Sequence, residues 1–147
     1  MITFRSLAQL SGPEAFELFR LRVDVFVAEQ NCPYNELDDV DADPATRHVL
    51  ARGANGRLLG CARVFPTAES ARFGRFVVAP EARGTGLGAE ILTRSIEYAR
   101  RWPGDLLLDA QAPLVGYYSG FGFVPEGAEF MDTGIPHRRM RLRRAIH

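Results

Sequence analysis

The stretch VVAPEARGTGLGAEIL, Val77 to Leu92, hands a β-branched strand over to a helix through proline, arginine and three glycines at alternate positions, Gly84, Gly86 and Gly88. A strand-to-helix turn needs a residue with positive φ, and one glycine supplies that. Three at this spacing call for a further reason.

Two ligand readings compete with the plain turn. Gly84-Thr85-Gly86-Leu87-Gly88-Ala89 matches the dinucleotide fingerprint G-x-G-x-x-G/A, with Asp105 or Asp109 about 20 residues on. In that fold the strand runs directly into the first glycine, whereas here Pro80-Glu81-Ala82-Arg83 intervenes, and too few residues follow to build an alternating parallel sheet. The other reading takes the glycines as a way to expose successive main-chain N–H groups at a helix N-terminus, where a pyrophosphate binds. Arg83 adds a fixed positive charge, and Val77 and Val78 offer strand amides to an extended, amide-bearing chain. Coenzyme A has both parts.

Working outward, Ile2 to Leu7 reads as an opening strand. Ser11 with Glu14 three residues on has capping-box spacing, and the apolar stripe Phe16, Leu18, Phe19, Leu21, Val23, Phe26, Val27 predicts a helix to about residue 28. Residues 31–47 read as an acidic, proline-punctuated loop. Strands are expected at 48–53, 57–65 and 71–79, the first two joined through Asn55-Gly56, a hairpin signal. Leu87, Ile91, Leu92, Ile96 and Ala99 recur at helical spacing until Trp102-Pro103-Gly104. Residues 105–112 form a buried strand, 112–122 a short helix, and 123–127 and 137–144 closing strands. The order β-α-β-β-β-α-β-α-β-β predicts an antiparallel meander followed by one parallel crossover around the glycine loop.

Composition narrows the chemistry. A chain of 147 residues fits one domain, residues 1–147, with a real core. Formal net charge is zero, which speaks against nucleic acid as the partner. The basic run HRRMRLRR, 137–144, alternates Met140 and Leu142 with arginine, as a strand with one wet face does. No apolar run reaches membrane-spanning length and no leader is evident, so a cytoplasmic location is expected. Cys32 and Cys61 form neither a C-x-x-C pair nor a zinc pattern and are expected as small buried hydrophobes; no metal is expected. Asp39, Asp41 and Asp43 imitate the start of an EF-hand loop, but Pro44 and Leu50 stand where glycine and glutamate are needed. These acids either flank an acceptor entrance or belong to a solvated loop. All 18 basic residues are arginine, so a P-loop and lysine Schiff-base chemistry are both excluded.

VVAPEARGTGLG resembles the acetyl-CoA-binding motif of the GNAT superfamily of N-acetyltransferases, Arg/Gln-x-x-Gly-x-Gly/Ala, with Arg83, Gly86 and Gly88 at the defining places. YYSGFGF, 117–123, resembles the superfamily's aromatic-Tyr-x-x-x-Gly-Phe signature and places Tyr118 at the tyrosine. Gln111 stands seven residues earlier, where the family usually has asparagine. The flanks LRVDVFVAEQNCPYNELD, Arg47-His48, DAQAPLVGYY and GIPH resemble the ElaA-like branch, so the likeness covers most of the chain.

The resemblance implies an α/β (α+β) fold with a mixed, largely antiparallel sheet, splayed between two parallel strands and covered by helices on both faces. It implies acetyl-CoA as co-substrate: Phe76, Val77 and Val78 along the pantetheine arm, Arg83, Gly84, Thr85, Gly86, Leu87 and Gly88 around the pyrophosphate, and Gln111 and Tyr118 beside them. The Val78 N–H would hold the oxyanion, and Tyr118 would protonate the leaving thiolate. Relatives often carry a carboxylate base on one of the splayed strands, but 71–79 has none and Leu106 occupies the usual place on the next. Glu29, Asp109, His48 and His137 are the candidate bases, Glu29 first, with Glu29, Gln30 and His137 expected around a small-molecule or peptide amine. The protein is expected as a monomer or homodimer. A non-catalytic acyl-CoA sensor is the alternative function.

Overall fold

The computed structural model describes residues 1–30, 36–132 and 134–144. One seven-stranded sheet runs in the order β1-β2-β3-β4-β5-β7-β6, with β1 Ile2–Arg5, β2 Arg47–Arg52, β3 Leu58–Pro66, β4 Ala71–Val78, β5 Leu106–Gln111, β6 Val124–Asp132 and β7 Ile135–Leu142. All neighbours are antiparallel except β4 and β5. That exception follows from connectivity. The crossover from β4 to β5 carries a helix, α3 (Leu87–Tyr98), and a crossover returns the chain parallel to its start.

Alternation along the strands sorts the core onto two faces. Val49 and Ala51 of β2, Val64 of β3 and Phe73 of β4 pack with Ile91 and Leu92 of α3. Leu50, Cys61 and Val77 point the other way, to Leu18 of α1 (Gly12–Arg22). Helices therefore cover both faces. Ser11 caps α1 as its sequence predicts: its hydroxyl accepts from the Glu14 N–H at 3.2 Å, and the Glu14 carboxylate accepts from the Ser11 N–H at 2.8 Å.

Three features depart from the sequence reading. The first helix does not end regularly at residue 28: Val23–Glu29 winds as a π-helix, with the Gln30 N–H bonded to the Val25 carbonyl five residues back at 2.9 Å. The expected loop contains a one-turn helix, α2 (Asp39–Ala42), whose capping box pairs Asp38 with Asp41. And β4 carries a bulge. Cys61 faces Val77 while Arg63 faces Gly74, so three steps on β4 span two on β3, and within that interval Arg75 adopts φ +50°.

The acidic segment is more than a solvated loop. Asp39 and Asp43 are exposed, but Glu36, Asp38 and Asp41 interlock with three arginines. Arg22 of α1 meets Glu36 and Asp41, both at 2.7 Å; Arg63 of β3 meets Asp38 at 2.7 Å and Asp41 at 2.9 Å; Arg75 of β4 meets Glu36 at 3.0 Å and Asp38 at 3.3 Å. Arg22 is 1 % exposed and Asp41 3 %. A buried guanidinium is tolerated only when its donors are matched, and bidentate carboxylates match them. With Asp41 consumed in this lattice and the Asp43 carboxylate capping the Ala45 N–H at 2.8 Å, the three aspartates do not converge on a cation. Cys61 is a buried hydrophobe, its thiol pushed up to about 12 by burial. Cys32 lies outside the described residues.

The C-terminal arginines serve the fold. Arg141 pairs with Asp105 at 3.0 Å and Glu126 at 2.8 Å, Arg139 pairs with Asp109 at 3.1 Å, and Arg144 closes the carbonyls of Ala99, Trp102 and Gly104. No described helix is long and apolar enough to cross a membrane.

Candidate active site

Strands β4 and β5 pair at only two positions, Ala71 with Leu106 and Arg72 with Leu107. Beyond them the strands part, and the bulge at Arg75 turns β4 aside. The gap opens a cavity of about 210 Å³, walled by Phe65, Phe73 and Phe76 on one side and by Leu108, Gln111 and Tyr118 on the other. Arg72, Asp109, Asp132 and His137 supply its polar groups, and the π-turn adds Phe26 and Gln30.

The turn after β4 meets the mouth of this gap. Gly84 and Gly86 have φ +78° and +87°, with open space where a side chain would project. At Gly88 a Cβ would stand 3.4 Å from the side chains of both Phe76 and Val78, at the edge of ordinary van der Waals contact, so α3 lies close against β4 there. The first two glycines thus invert the backbone, and the third sits at the contact between α3 and β4. Among the described residues, the main-chain N–H groups of Gly84, Thr85 and Gly86 make no hydrogen bond of good geometry, whereas the Thr85 hydroxyl binds the Ala82 carbonyl and holds the turn. Unpaired N–H groups at the head of a helix fit a phosphate.

The other expected donor-binding residues divide by side chain and main chain. The Val77 side chain is core on the α1 face, and that of Leu87 packs under α3, so only their backbones can meet a ligand. The Ala79 N–H bonds the Leu59 carbonyl at 2.8 Å, on the β3 side. Strand alternation therefore turns the Val78 N–H toward the gap. Phe76 lines the cavity directly.

Tyr118 sits on α4 (Val115–Ser119), 7 % exposed, with Phe123 and Tyr117 edge-on against its ring. Burial, with a smaller effect of Tyr117, raises its phenol above the ordinary range. It stays protonated at neutral pH and offers the cavity a hydrogen-bond donor.

The candidate bases separate sharply. Glu29, ranked first from sequence, corrects that ranking: both its oxygens hold Arg83, at 2.7 and 3.1 Å, and the Arg83 hydrogen bond lowers its carboxyl below the usual range. A carboxylate so stabilised is a poor proton acceptor. The same pair occupies the two guanidinium nitrogens that Arg83 was expected to lay on pyrophosphate, while its Nε binds the Val78 carbonyl at 3.1 Å. His48 is fully buried, its Nε2 bonded to the Asp41 carbonyl at 2.9 Å, and burial lowers its imidazole below the ordinary range. It lies outside the cavity. Leu106 sits in the core at the closed end of the splay; the carboxylate that β5 brings to the gap is Asp109, shared between Arg72 at 2.9 Å and Arg139 at 3.1 Å. His137 lines the cavity opposite Gln111 in register. Gln111 in turn donates to the Gln30 side chain at 3.1 Å.

Sequence reading missed Arg72, Asp132, Phe26, Phe65, Phe73 and Leu114 as cavity residues. The bulge that turns β4 aside beyond Gly74 has no sequence signal.

The acetyltransferase (GNAT) domain profile matches residues 19–144 of the chain. The chain belongs to the GNAT family. Within it, the chain is ElaA-like. It is 35 % identical to the protein ElaA of Escherichia coli over 93 % of this chain and 94 % of that one. The crystal structure of ElaA superposes with a TM-score of 0.89 over 96 % and 98 % of the two chains. An acyl-CoA N-acyltransferase from Pseudomonas aeruginosa, 36 % identical, also gives 0.89 over 96 % and 97 %. A UPF0039 protein of Mycobacterium tuberculosis is 38 % identical over 87 % and 83 %. The β4–β5 splay is present in the chain, and the fold is that of acyl-CoA N-acyltransferases.

Proposed function

We propose that this GNAT protein transfers an acetyl group from acetyl-CoA directly to a primary amine within a ternary complex. The observation that carries the reading is the set of N–H groups at Gly84, Thr85 and Gly86, which bond to none of the described residues in the turn between β4 and α3. A diphosphate on those amides sends its pantetheine arm into the gap, where it pairs with the free edge of β4 as an added strand. The thioester then reaches the cavity between Phe76 and Tyr118.

The Val78 N–H polarises the thioester carbonyl and holds the oxyanion as nitrogen attacks. As the C–S bond breaks, the Tyr118 hydroxyl donates to the departing sulfur. Acetyl is the acyl group that the family resemblance implies. Phenylalanine walls with Arg72, Asp109 and Asp132 suit an amine that carries both an apolar body and polar substituents. The acceptor is a small molecule or peptide terminus, the protein acts without a metal in the cytoplasm, and it works as a monomer or homodimer.

Coenzyme A release measured across a panel of amines tests the reading. Thioester consumption that depends on amine is expected. Binding of acetyl-CoA with no turnover on any amine would instead make the protein a donor sensor.

A further inference from the structure

An amine acceptor arrives as an ammonium ion and must shed a proton before its nitrogen can attack. At pH 7 that costs roughly 4 kcal/mol for a lysine-like amine. The carboxylates that line the cavity are Asp109 and Asp132. Asp109 is divided between two arginines, and Glu29, outside the lining, is held by a third.

His137 differs from both in what its ring presents. Its Nδ1 lies 2.8 Å from the Ile135 carbonyl. A carbonyl oxygen only accepts, so Nδ1 carries the proton and the neutral ring has its lone pair on Nε2. Nε2 makes no hydrogen bond with the described residues, and the residue lines the cavity that holds Tyr118. Phe130 of β6 stacks on the ring at 5.9 Å with the planes 25° apart, and pairing with Gln111 of β5 and Phe130 of β6 fixes β7 on both sides. A ring locked in one tautomer by a backbone carbonyl, with its free nitrogen aimed away from that carbonyl, is the form a general base takes.

We infer that His137 Nε2 is the proton acceptor for the amine, an assignment that rests on the N-acyltransferase reading above. Nε2 takes one proton from the ammonium and passes it to solvent. The freed lone pair forms the C–N bond while the C–S bond breaks. The second proton shed by nitrogen balances the one that the thiolate gains from Tyr118. The net change is ammonium plus thioester to amide, thiol and one released proton. Groups facing the ring's cavity are Asp109 on β5, Arg72 and Arg75 on β4, Arg63 on β3, Asp132 on β6 and the Tyr118 phenol on α4. The three arginines are each ion-paired, so they place no uncompensated positive charge against an imidazole that must become cationic.

His137→Asn separates base from scaffold, because its amide nitrogen replaces Nδ1–H toward Ile135 and nothing replaces Nε2. With donor and acceptor saturating, wild-type kcat is expected to fall on the acid side as the imidazole protonates. In the variant kcat should drop about 100-fold, that acid limb should vanish, and acetyl-CoA affinity by calorimetry should hold. Exogenous imidazole should restore part of the turnover of His137→Ala. A variant with full turnover or an unchanged acid limb overturns the assignment alone, as does a variant that no longer binds acetyl-CoA. Absence of turnover by the wild-type protein on every amine overturns the function and the assignment together.

Discussion

Arg83 and Glu29 meet through two parallel hydrogen bonds, 2.7 and 3.1 Å, joining the turn after β4 to the end of the π-turn across the mouth of the cavity. The neighbouring Gln30 reaches the other bank at Gln111. Residues 29 and 30 therefore bridge the two strands whose separation makes the site. Because the carboxylate holds the guanidinium that a diphosphate would also attract, donor and Glu29 compete for Arg83. Glu29→Gln should tighten acetyl-CoA binding by roughly two- to five-fold, the scale of an exposed ion pair, and leave kcat close to wild type. Calorimetry and steady-state kinetics check both halves; a large loss of kcat would return Glu29 to the catalytic machinery.

Gly86 combines φ +87° with open space. Any L-residue there bears strain of roughly 1–2 kcal/mol, so two substitutions are needed to isolate the ligand effect. Gly86→Ala should weaken acetyl-CoA modestly, whereas Gly86→Asp, equally strained but negative, should abolish measurable binding. Equal affinities in calorimetry would remove the diphosphate from this turn.

Tyr118→Phe keeps the aromatic packing on Phe123 and deletes only the hydroxyl. Loss of a general acid predicts a fall in kcat of about 100-fold with acetyl-CoA affinity retained. Stopped-assay kinetics beside binding measurements distinguish this from a packing defect, which would lower both.

The arginine–carboxylate lattice makes the fold acid-sensitive within a defined window. Burial alone would raise the Asp41 carboxyl, but hydrogen bonds and charge from Arg22, the Asp38 N–H and Arg63 hold it down to about 2 from 3.8. Asp38 is also lowered, first by Arg63. A lowered carboxyl contributes stability in full above its unfolded value and loses it as pH falls through the folded one. For Asp41 that is roughly 2 kcal/mol. Urea midpoints should be flat above about pH 4.5 in respect of this pair and fall steeply between about pH 4 and pH 2. Asp41→Asn should flatten that slope.

Arg22→Ala removes the buried hub and leaves Glu36 with Arg75 alone and Asp41 with Arg63 as its one remaining arginine. Destabilisation of about 3–5 kcal/mol is expected by chemical denaturation. Arg22→Met, which also lacks the charge, should rescue packing but not the acids.

Much of the architecture was legible because it rests on local chemistry. Ser11 and Glu14 announce a cap, Asn55-Gly56 a hairpin, and Val49 to Ala51 a strand buried on alternate faces. The backbone inversions at Gly84 and Gly86 were legible for the same reason, since glycine spacing is a direct record of backbone demands. What stayed hidden depends on long-range matching. Nothing in ELDDVDADP distinguishes a solvated acidic loop from one that clasps three arginines 14 to 39 residues away along the chain. Glu29 looked catalytic until its partner Arg83, 54 positions later, was known. His137 stood as one of several candidates, and only the Ile135 carbonyl fixes which nitrogen carries its proton.

The wide winding of Val23–Glu29 gives the cavity a rim that sequence length alone can alter. An α-helix advances about 100° per residue, so excising one position here would relax the coil and swing Phe26, Glu29 and Gln30 away from the sheet together. Leu18 and the buried arginine hub precede the coil and would stay seated. Single-codon deletions in this segment would thus reshape the rim while leaving the scaffold intact.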